Sequence, residues 1–244
     1  MTKLWAVIPA GGEGLRYGSE TPKQYSTVAG LTVLEHVLKA FLTPNVFESI
    51  VVPIPSVDRN FNGLADAKHE AVVSIAGGLQ RADSVYAALD WIRAQGAGKN
   101  DWVFVHDAAR PAITQDELNS LLNVIDIPDC PGVVLGVPAS DTLKRVNKKR
   151  GHGEGAGIYI TETVDRTCLW HAMTPQVFQL GELIDALDQA KASGLFVTDE
   201  AQAMEATGTY PWLVRGLRTN VKLTHPEDLQ LIEAILSSRQ EVSK

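Results

Sequence analysis

Cysteine is almost absent from this chain. Only Cys130 and Cys168 occur among 244 residues, neither in a CxxC pair nor beside a cluster of histidines. No disulfide framework and no zinc site follow from that usage. Long apolar runs are missing too, since no stretch approaches the roughly 18 residues that a membrane-spanning helix needs. The opening MTKLWAVIPAGG is apolar only briefly and lacks the hydrophobic core and cleavage site of a secretory signal. The expectation is a cytoplasmic, soluble protein. Positive charge is in deficit as well: 22 Lys and Arg face 29 Asp and Glu, a formal net charge of −7. That balance argues against a general nucleic-acid binder, which carries a basic face. It leaves room for an anionic small ligand, because a few well-placed cations outweigh a distant surplus of carboxylates. Repeats, low-complexity segments and linkers are absent, and 45% hydrophobic with 21% charged residues is ordinary for a globular protein. One domain spanning 1–244 is the expectation.

What is present is an alternation of short apolar runs with helical patterns. Leu4–Pro9, Ile50–Ile54, Val72–Ile75, Trp102–His106 and Val133–Val137 are continuous and β-branched, as in strands covered on both faces. Between them, Val33, Leu34, Val37, Leu38 and Phe41 form one apolar stripe, and Val85, Ala88, Leu89 and Ile92 another. Thr114 and Glu117 have capping-box spacing ahead of Leu118, Leu121, Leu122 and Ile125. The pattern predicts a three-layer α/β/α fold, Rossmann-like, with a mostly parallel sheet and right-handed crossovers. Between Asp141 and Arg166 the rhythm breaks. Thr142–Val146 and Ile158–Thr163 read as two strands joined by the charged, Gly-rich KKRGHGEGAG, a β-arm protruding at about 141–166 that suits packing on a partner subunit. Helices are expected over Leu180–Ala192 and Glu200–Ala206, and strands at Trp212–Val214 and Asn220–Leu223. A last helix is expected near Pro226, with Thr224 and Glu227 in capping-box spacing.

Chemistry concentrates where strands end. After the first strand comes Pro9-Ala10-Gly11-Gly12-Glu13-Gly14-Leu15-Arg16, then Pro22-Lys23-Gln24. Glycines there let backbone N–H groups face an anion closely, and Arg16 and Lys23 add two full charges. The segment is neither a dinucleotide fingerprint, since position 17 is Tyr, nor a Walker A loop, since no GK[ST] follows. Gly77-Gly78 repeats the idea ahead of Arg81, Asp83 and Ser84, where backbone amides meet a helix start. His106-Asp107-Ala108-Ala109-Arg110-Pro111 ends an apolar strand at the edge where open α/β sheets bind ligands. Asp107 there suits Mg2+, a hard cation that takes one or two carboxylates plus phosphates, while His106 reads as a buried structural histidine. Asp141-Thr142, Arg166, Thr174-Pro175-Gln176, Thr198-Asp199-Glu200 and Asn220-Val221-Lys222 each place a hydroxyl or a cation at an element end.

Taken in order, PAGGEGLRYG…PKQY, GG-x-x-RADSV, VHDAARP, DTLKR, TVDR…LWHAMTPQ, TDEA and NVKLTHPEDL closely resemble the 2-C-methyl-D-erythritol 4-phosphate cytidylyltransferases over essentially the whole length. The resemblance implies a transfer of the cytidylyl group of CTP to a polyol phosphate, with Mg2+ and without a protein nucleophile. It implies catalytic roles for Arg16, Lys23, Arg166 and Lys222. Asp107 would sit by the metal, and Arg110, Thr142, Thr174 and Thr198 near the substrate. Ala10, Gly11, Gly12, Gly78 and Ser84 would line the CTP site, largely through backbone amides, and Ala108 would also bind substrate. A homodimer through the β-arm is implied, with Arg166 serving the partner's site. A cytidylyltransferase acting on ribitol 5-phosphate is the alternative. The chain departs from the family pattern at Ala10-Gly11, where relatives often have two alanines, at Leu79, and in the length of the arm turn.

Overall fold

The continuous apolar runs do become strands covered on both faces. In the computed structural model, which describes residues 2–12, 21–148 and 158–242, the chain runs β1 (Leu4–Val7), β2 (Thr27–Val28), β3 (Leu31–Thr32), α1 (Val33–Leu42), β4 (Phe47–Ile54), β5 (Val72–Ala76), α2 (Arg81–Ala94), β6 (Trp102–Val105) and α3 (Gln115–Ile125). It continues through β7 (Val133–Pro138), β8 (Leu143–Lys148), β9 (Ile158–Val164), β10 (Trp170–Gln179), α4 (Leu180–Ala192), α5 (Glu200–Ala206), β11 (Trp212–Arg215) and α6 (Asp228–Val242). Seven strands form one sheet in the order β11-β7-β10-β6-β1-β4-β5. Every neighbouring pair is parallel except the two made by β10, which runs antiparallel to β6 and β7.

Alternation along each strand divides the core into two layers. Ala6, Ile50, Val52 and Phe104 face the side covered by α1 and α3, among Leu34, Leu38, Phe41, Leu118 and Leu121. Trp5, Val7, Val51, Val103 and Val105 face the other side, among Val85, Leu89, Ile92, Leu183 and Met204 of α2, α4 and α5. Full burial of one such large apolar side chain contributes about 1.5–3 kcal/mol, so both faces of the sheet need their helices. The expected α1 stripe is buried throughout, and the Thr114–Glu117 capping box forms in both directions, at 3.2 and 3.0 Å. Helix α6 lies over a third cluster holding Val28, Val33, Ala109 and Leu223.

Three elements differ from the sequence pattern. β10 is a ten-residue strand where the sequence marks only an element end, because Pro175 and the mixed HAMTPQ run conceal it. Its register shifts between Ala172 and Gln176, which absorbs the proline. Asn220–Leu223 is not a strand. It crosses the carboxyl edge of the sheet, with Leu223 N–H donating to Ala109 O at 2.8 Å and Asn220 O accepting from Arg110. Helix α6 begins at Asp228, whose carboxylate accepts from the N–H groups of Thr224 and His225, both at 2.8 Å, so Asp228 rather than Glu227 closes its start.

The two strands expected between Asp141 and Arg166 are present as β8 and β9, paired in a separate two-stranded sheet. Val146 lies opposite Ile160, and Ile158 is two residues along on the same face. All three are exposed, Ile158 and Ile160 by about two thirds. Most of the connecting turn, 149–157, lies outside the described residues.

Candidate active site

Four segments meet at the carboxyl edge of the sheet. Residues Pro9–Gly12 follow β1, Gly77–Gln80 lead from β5 into α2, His106–Ala109 follow β6, and Lys222 is carried by the crossing segment after β11. Between them lies an open cleft, lined also by Lys23, Gln24 and Ser84. A second compartment of about 420 Å³ adjoins it, lined by Arg110, Met173, Thr174, Gln176, Thr198 and Asp199. Arg81, Asp107 and Lys222 line both. Because β10 is antiparallel, the residues before Gln176 project past the carboxyl end of β6, which brings Thr174 to this edge.

Close backbone approach explains the glycines. A Cβ on Gly78 would stand 2.2 Å from Asp83 Cβ, and one on Gly77 would stand 2.9 Å from Ser84 Oγ. Ser84 Oγ accepts the Gly78 N–H at 3.0 Å, tying this turn to the first turn of α2. On the opposite wall Ala10 is buried, and its carbonyl accepts from Gln24 Nε2 at 2.7 Å. Gly12 has open space where a side chain would be, facing the cleft.

Asp107 is the electrostatic centre. Arg81 Nε donates to its Oδ1 at 2.9 Å, Lys222 Nζ to its Oδ2 at 2.6 Å, and Arg110 Nε lies 3.8 Å from Oδ2. Burial alone would push this carboxyl up, but Arg81, then Lys222 and Arg110, hold it well below the usual carboxylate range. Arg81 reaches further, with both terminal nitrogens on the buried Glu200 at 2.7 and 3.0 Å. Burial works against its charge, yet Glu200 and Asp107 together keep the guanidinium protonated more firmly than usual.

His106 is the structural histidine the sequence suggests. It is wholly buried, with Nε2 3.1 Å from Arg110 O and Nδ1 3.1 Å from Thr174 Oγ1. Only a protonated Nε2 can meet a carbonyl, so Nδ1 accepts the Thr174 hydroxyl proton. Burial lowers its pKa to about 4, leaving it neutral. Thr174 Oγ1 in turn accepts the Asp107 N–H at 3.0 Å, so that hydroxyl fixes the Asp107 backbone.

Lys23, Lys222, Asp107, Ala10, Gly11, Gly12, Gly78, Ser84 and Ala108 therefore share the cleft, with Arg110, Thr174 and the exposed Thr198 around the second compartment. Lys23 Nζ donates to Leu223 O at 2.9 Å, one residue from Lys222. Thr142 and Arg166 are not brought there. Both are exposed beside the arm, and the Arg166 guanidinium contacts Ser140 O. Arg16 lies outside the described residues. Arg81, Glu200 and Gln24 stand inside the motifs quoted from the sequence but had no role assigned, and the structure brings them into the site. The position of Arg81 just after Gly77-Gly78 was its one local signal.

Among the described residues, no three His, Cys, Asp or Glu side chains converge as a metal cluster, and no helix is long and apolar enough to cross a membrane. A cationic, glycine-walled cleft at the carboxyl edge of a mostly parallel sheet, joined to a second polar compartment, is the kind of site where open α/β folds hold phosphate-bearing ligands. The family model for 2-C-methyl-D-erythritol 4-phosphate cytidylyltransferase matches residues 4–238. The chain belongs to that family, and it is a cytidylyltransferase. It is 47% identical to the Pseudomonas putida protein of that name, with 93% of each chain covered. It is 42% identical to the Vibrio vulnificus one, covering 99% of this chain and 98% of that. Solved structures agree: the Francisella tularensis enzyme superposes with a TM-score of 0.80 at 33% identity, covering 96% of this chain and 100% of that one. The Thermus thermophilus enzyme gives 0.74 at 30%, covering 96% and 98%.

Proposed function

We propose that the glycine-walled cleft holds CTP, that the adjoining compartment holds 2-C-methyl-D-erythritol 4-phosphate, and that the two ligands meet at Asp107 and Lys222. The reading agrees with the family's reaction, transfer of a cytidylyl group in isoprenoid precursor synthesis. The observation that carries the placement is the shared wall: Arg81, Asp107 and Lys222 line both compartments. A phosphate oxygen of the polyol phosphate attacks the α-phosphorus of CTP. The bond from that phosphorus to the bridging oxygen breaks, and pyrophosphate leaves with the electron pair.

Positioning and charge then do the work. Lys23, in the cleft lining, would stabilise the α-phosphate and the departing pyrophosphate, and the family resemblance gives Arg16, outside the described residues, the same role. Lys222 turns from Asp107 to the attacking phosphate. Gly11, Gly12 and Gly78 present backbone toward the nucleotide, alongside Ala10, Ser84 and Ala108. Arg110, Thr174 and Thr198 surround the polyol, whereas Thr142, like Arg166, lies outside this compartment at the base of the arm. Mg2+ fits this donor set only as an ion carried by the nucleotide phosphates, with Asp107 as the protein carboxylate at the shared wall. It would neutralise phosphate charge there.

The protein acts as a single domain in the cytoplasm and as a homodimer. Val146, Ile158 and Ile160 place an apolar stripe on an isolated two-stranded arm. Such a hairpin is marginal in water by itself, and a second copy would cover it. Arg166, exposed at the base of the arm, would then serve the partner's site.

Pyrophosphate release tests the reading directly. CTP with methylerythritol phosphate and Mg2+ should turn over, while UTP, ATP and ribitol 5-phosphate should be poor substitutes. Equal rates with the three nucleotides would overturn the base assignment, and equal rates with the two polyol phosphates would overturn the compartment assignment.

A further inference from the structure

Lys23 opens a single turn, Lys23–Tyr25, too short to hold its own shape. Three successive side chains leave it for three anchors. Lys23 Nζ donates to Leu223 O at 2.9 Å, Gln24 Nε2 to Ala10 O at 2.7 Å, and the Tyr25 hydroxyl to Asp58 Oδ2 at 2.7 Å. Ala10 lines the cleft, and Leu223 directly follows Lys222, which also lines it. The third anchor is elsewhere: Asp58 lies in the loop after β4, outside the cleft lining.

Asp58 is itself braced. Its Oδ1 accepts from the N–H groups of Asn60 and Phe61 at 2.8 and 2.9 Å, and Phe61 is buried in the core. The Tyr25 ring is 7% exposed and belongs to the same core layer. Burial, with Asp58 beside it, pushes the Tyr25 phenol well above its ordinary value, so it remains a donor. A lysine carries a long, flexible stem, and its ammonium is placed only as well as the backbone beneath it.

We propose that Tyr25 and Asp58 are positioning residues for Lys23, a hydroxyl–carboxylate strut running from the core-anchored loop after β4 to the turn that carries the catalytic ammonium. The inference rests on Lys23 acting at the phosphates as described above. Neither Tyr25 nor Asp58 lines the cleft. Their effect passes through the backbone of one three-residue turn.

The test is a double-mutant cycle on turnover, with Tyr25→Phe, Lys23→Ala and the pair, each checked for native circular dichroism. Tyr25→Phe deletes one hydroxyl and keeps the ring, so the fold survives. It should lower kcat about tenfold, a loss in keeping with small misplacement of a catalytic group, while KM for CTP moves less than about twofold. In the Lys23→Ala background the same change should cost less than about twofold, because coupled residues are not additive. Asp58→Ala, which also frees the Asn60 and Phe61 N–H groups, should lose at least as much as Tyr25→Phe. Asp58→Asn, which still hydrogen-bonds the phenol oxygen, should recover most of the rate. An equal loss from Tyr25→Phe in both backgrounds, or none in either, would overturn the strut. Wild-type turnover in Lys23→Ala alone would instead remove the role given to Lys23.

Discussion

Arg81 and Glu200 form a two-pronged ion pair, 2.7 and 3.0 Å, between residues 119 positions apart in the chain. Glu200 takes one N–H from each terminal nitrogen and Nε donates to Asp107 Oδ1, while the other Asp107 oxygen accepts from Lys222. The pair thus joins the start of α5 to the start of α2 and supports the wall between the two compartments.

Breaking it should be costly. Glu200→Ala leaves a largely buried guanidinium with one carboxylate instead of two. Loss of one partner from a buried pair typically costs about 3–5 kcal/mol. Because Arg81 keeps Asp107 and some exposure, a loss near the lower end is expected from urea denaturation. Turnover should fall with it, and an unchanged denaturation midpoint would contradict the pairing.

The glycines of the cleft should not be equivalent. Alanine at Gly78 drives a Cβ to 2.2 Å from Asp83 Cβ, whereas at Gly11 the nearest atom is Ser84 Oγ at 3.7 Å, an ordinary contact. Gly78→Ala should weaken CTP binding about tenfold, in line with the usual cost of overpacking. Gly11→Ala should stay within about twofold. Isothermal titration with CTP separates them, and equal affinities would sink the argument.

Acid should act on His106. Burial lowers its folded pKa to about 4, against 6.5 for the free side chain. Between those values the unfolded chain binds the extra proton, so stability rises with pH across that window and is lost as pH falls from about 6.5 toward 4. The groups packed on this ring are the Arg110 carbonyl, Thr174 Oγ1 and the Phe41 ring, 5.2 Å between centroids. Melting temperatures measured from pH 7 to 4 should decline. In His106→Asn, less stable at pH 7, that part of the slope should disappear.

The arm makes a fourth test. Ile160→Lys puts a charge on the exposed stripe of Val146, Ile158 and Ile160 without touching the central sheet. Sedimentation should show a dimer dissociating at least about tenfold more readily, the scale of an interface hot spot. Turnover should fall at low protein concentration, since Arg166 would then lack a partner site. A dimer as tight as the wild type would argue for assembly through another surface.

Much of this molecule is written locally. The β-branched runs, the α1 stripe, the Thr114–Glu117 box and the two arm strands are contiguous patterns, and each formed where periodicity placed it. The glycines after β1 and β5 and Asp107 after β6 were legible too, because ligand sites follow strand ends in such sheets. β10 was hidden because Pro175 interrupts its pattern and a register shift absorbs it. Asn220–Leu223 looked like a strand because its apolar residues serve a core cluster while its backbone bonds go to loops.

The pairings at the site had no local signature. Arg81 meets Glu200, Lys222 meets Asp107 and Tyr25 meets Asp58 only after crossovers have stacked their strands and turns side by side. Periodicity reports which face of an element is buried, not which distant element will cover it. The amino-acid order therefore prescribed the layers, the sheet edge and the cations available there. Folding chose which cation lies against which carboxylate, because ion-pair partners depend on distances of a few ångströms between segments that lie far apart in the chain.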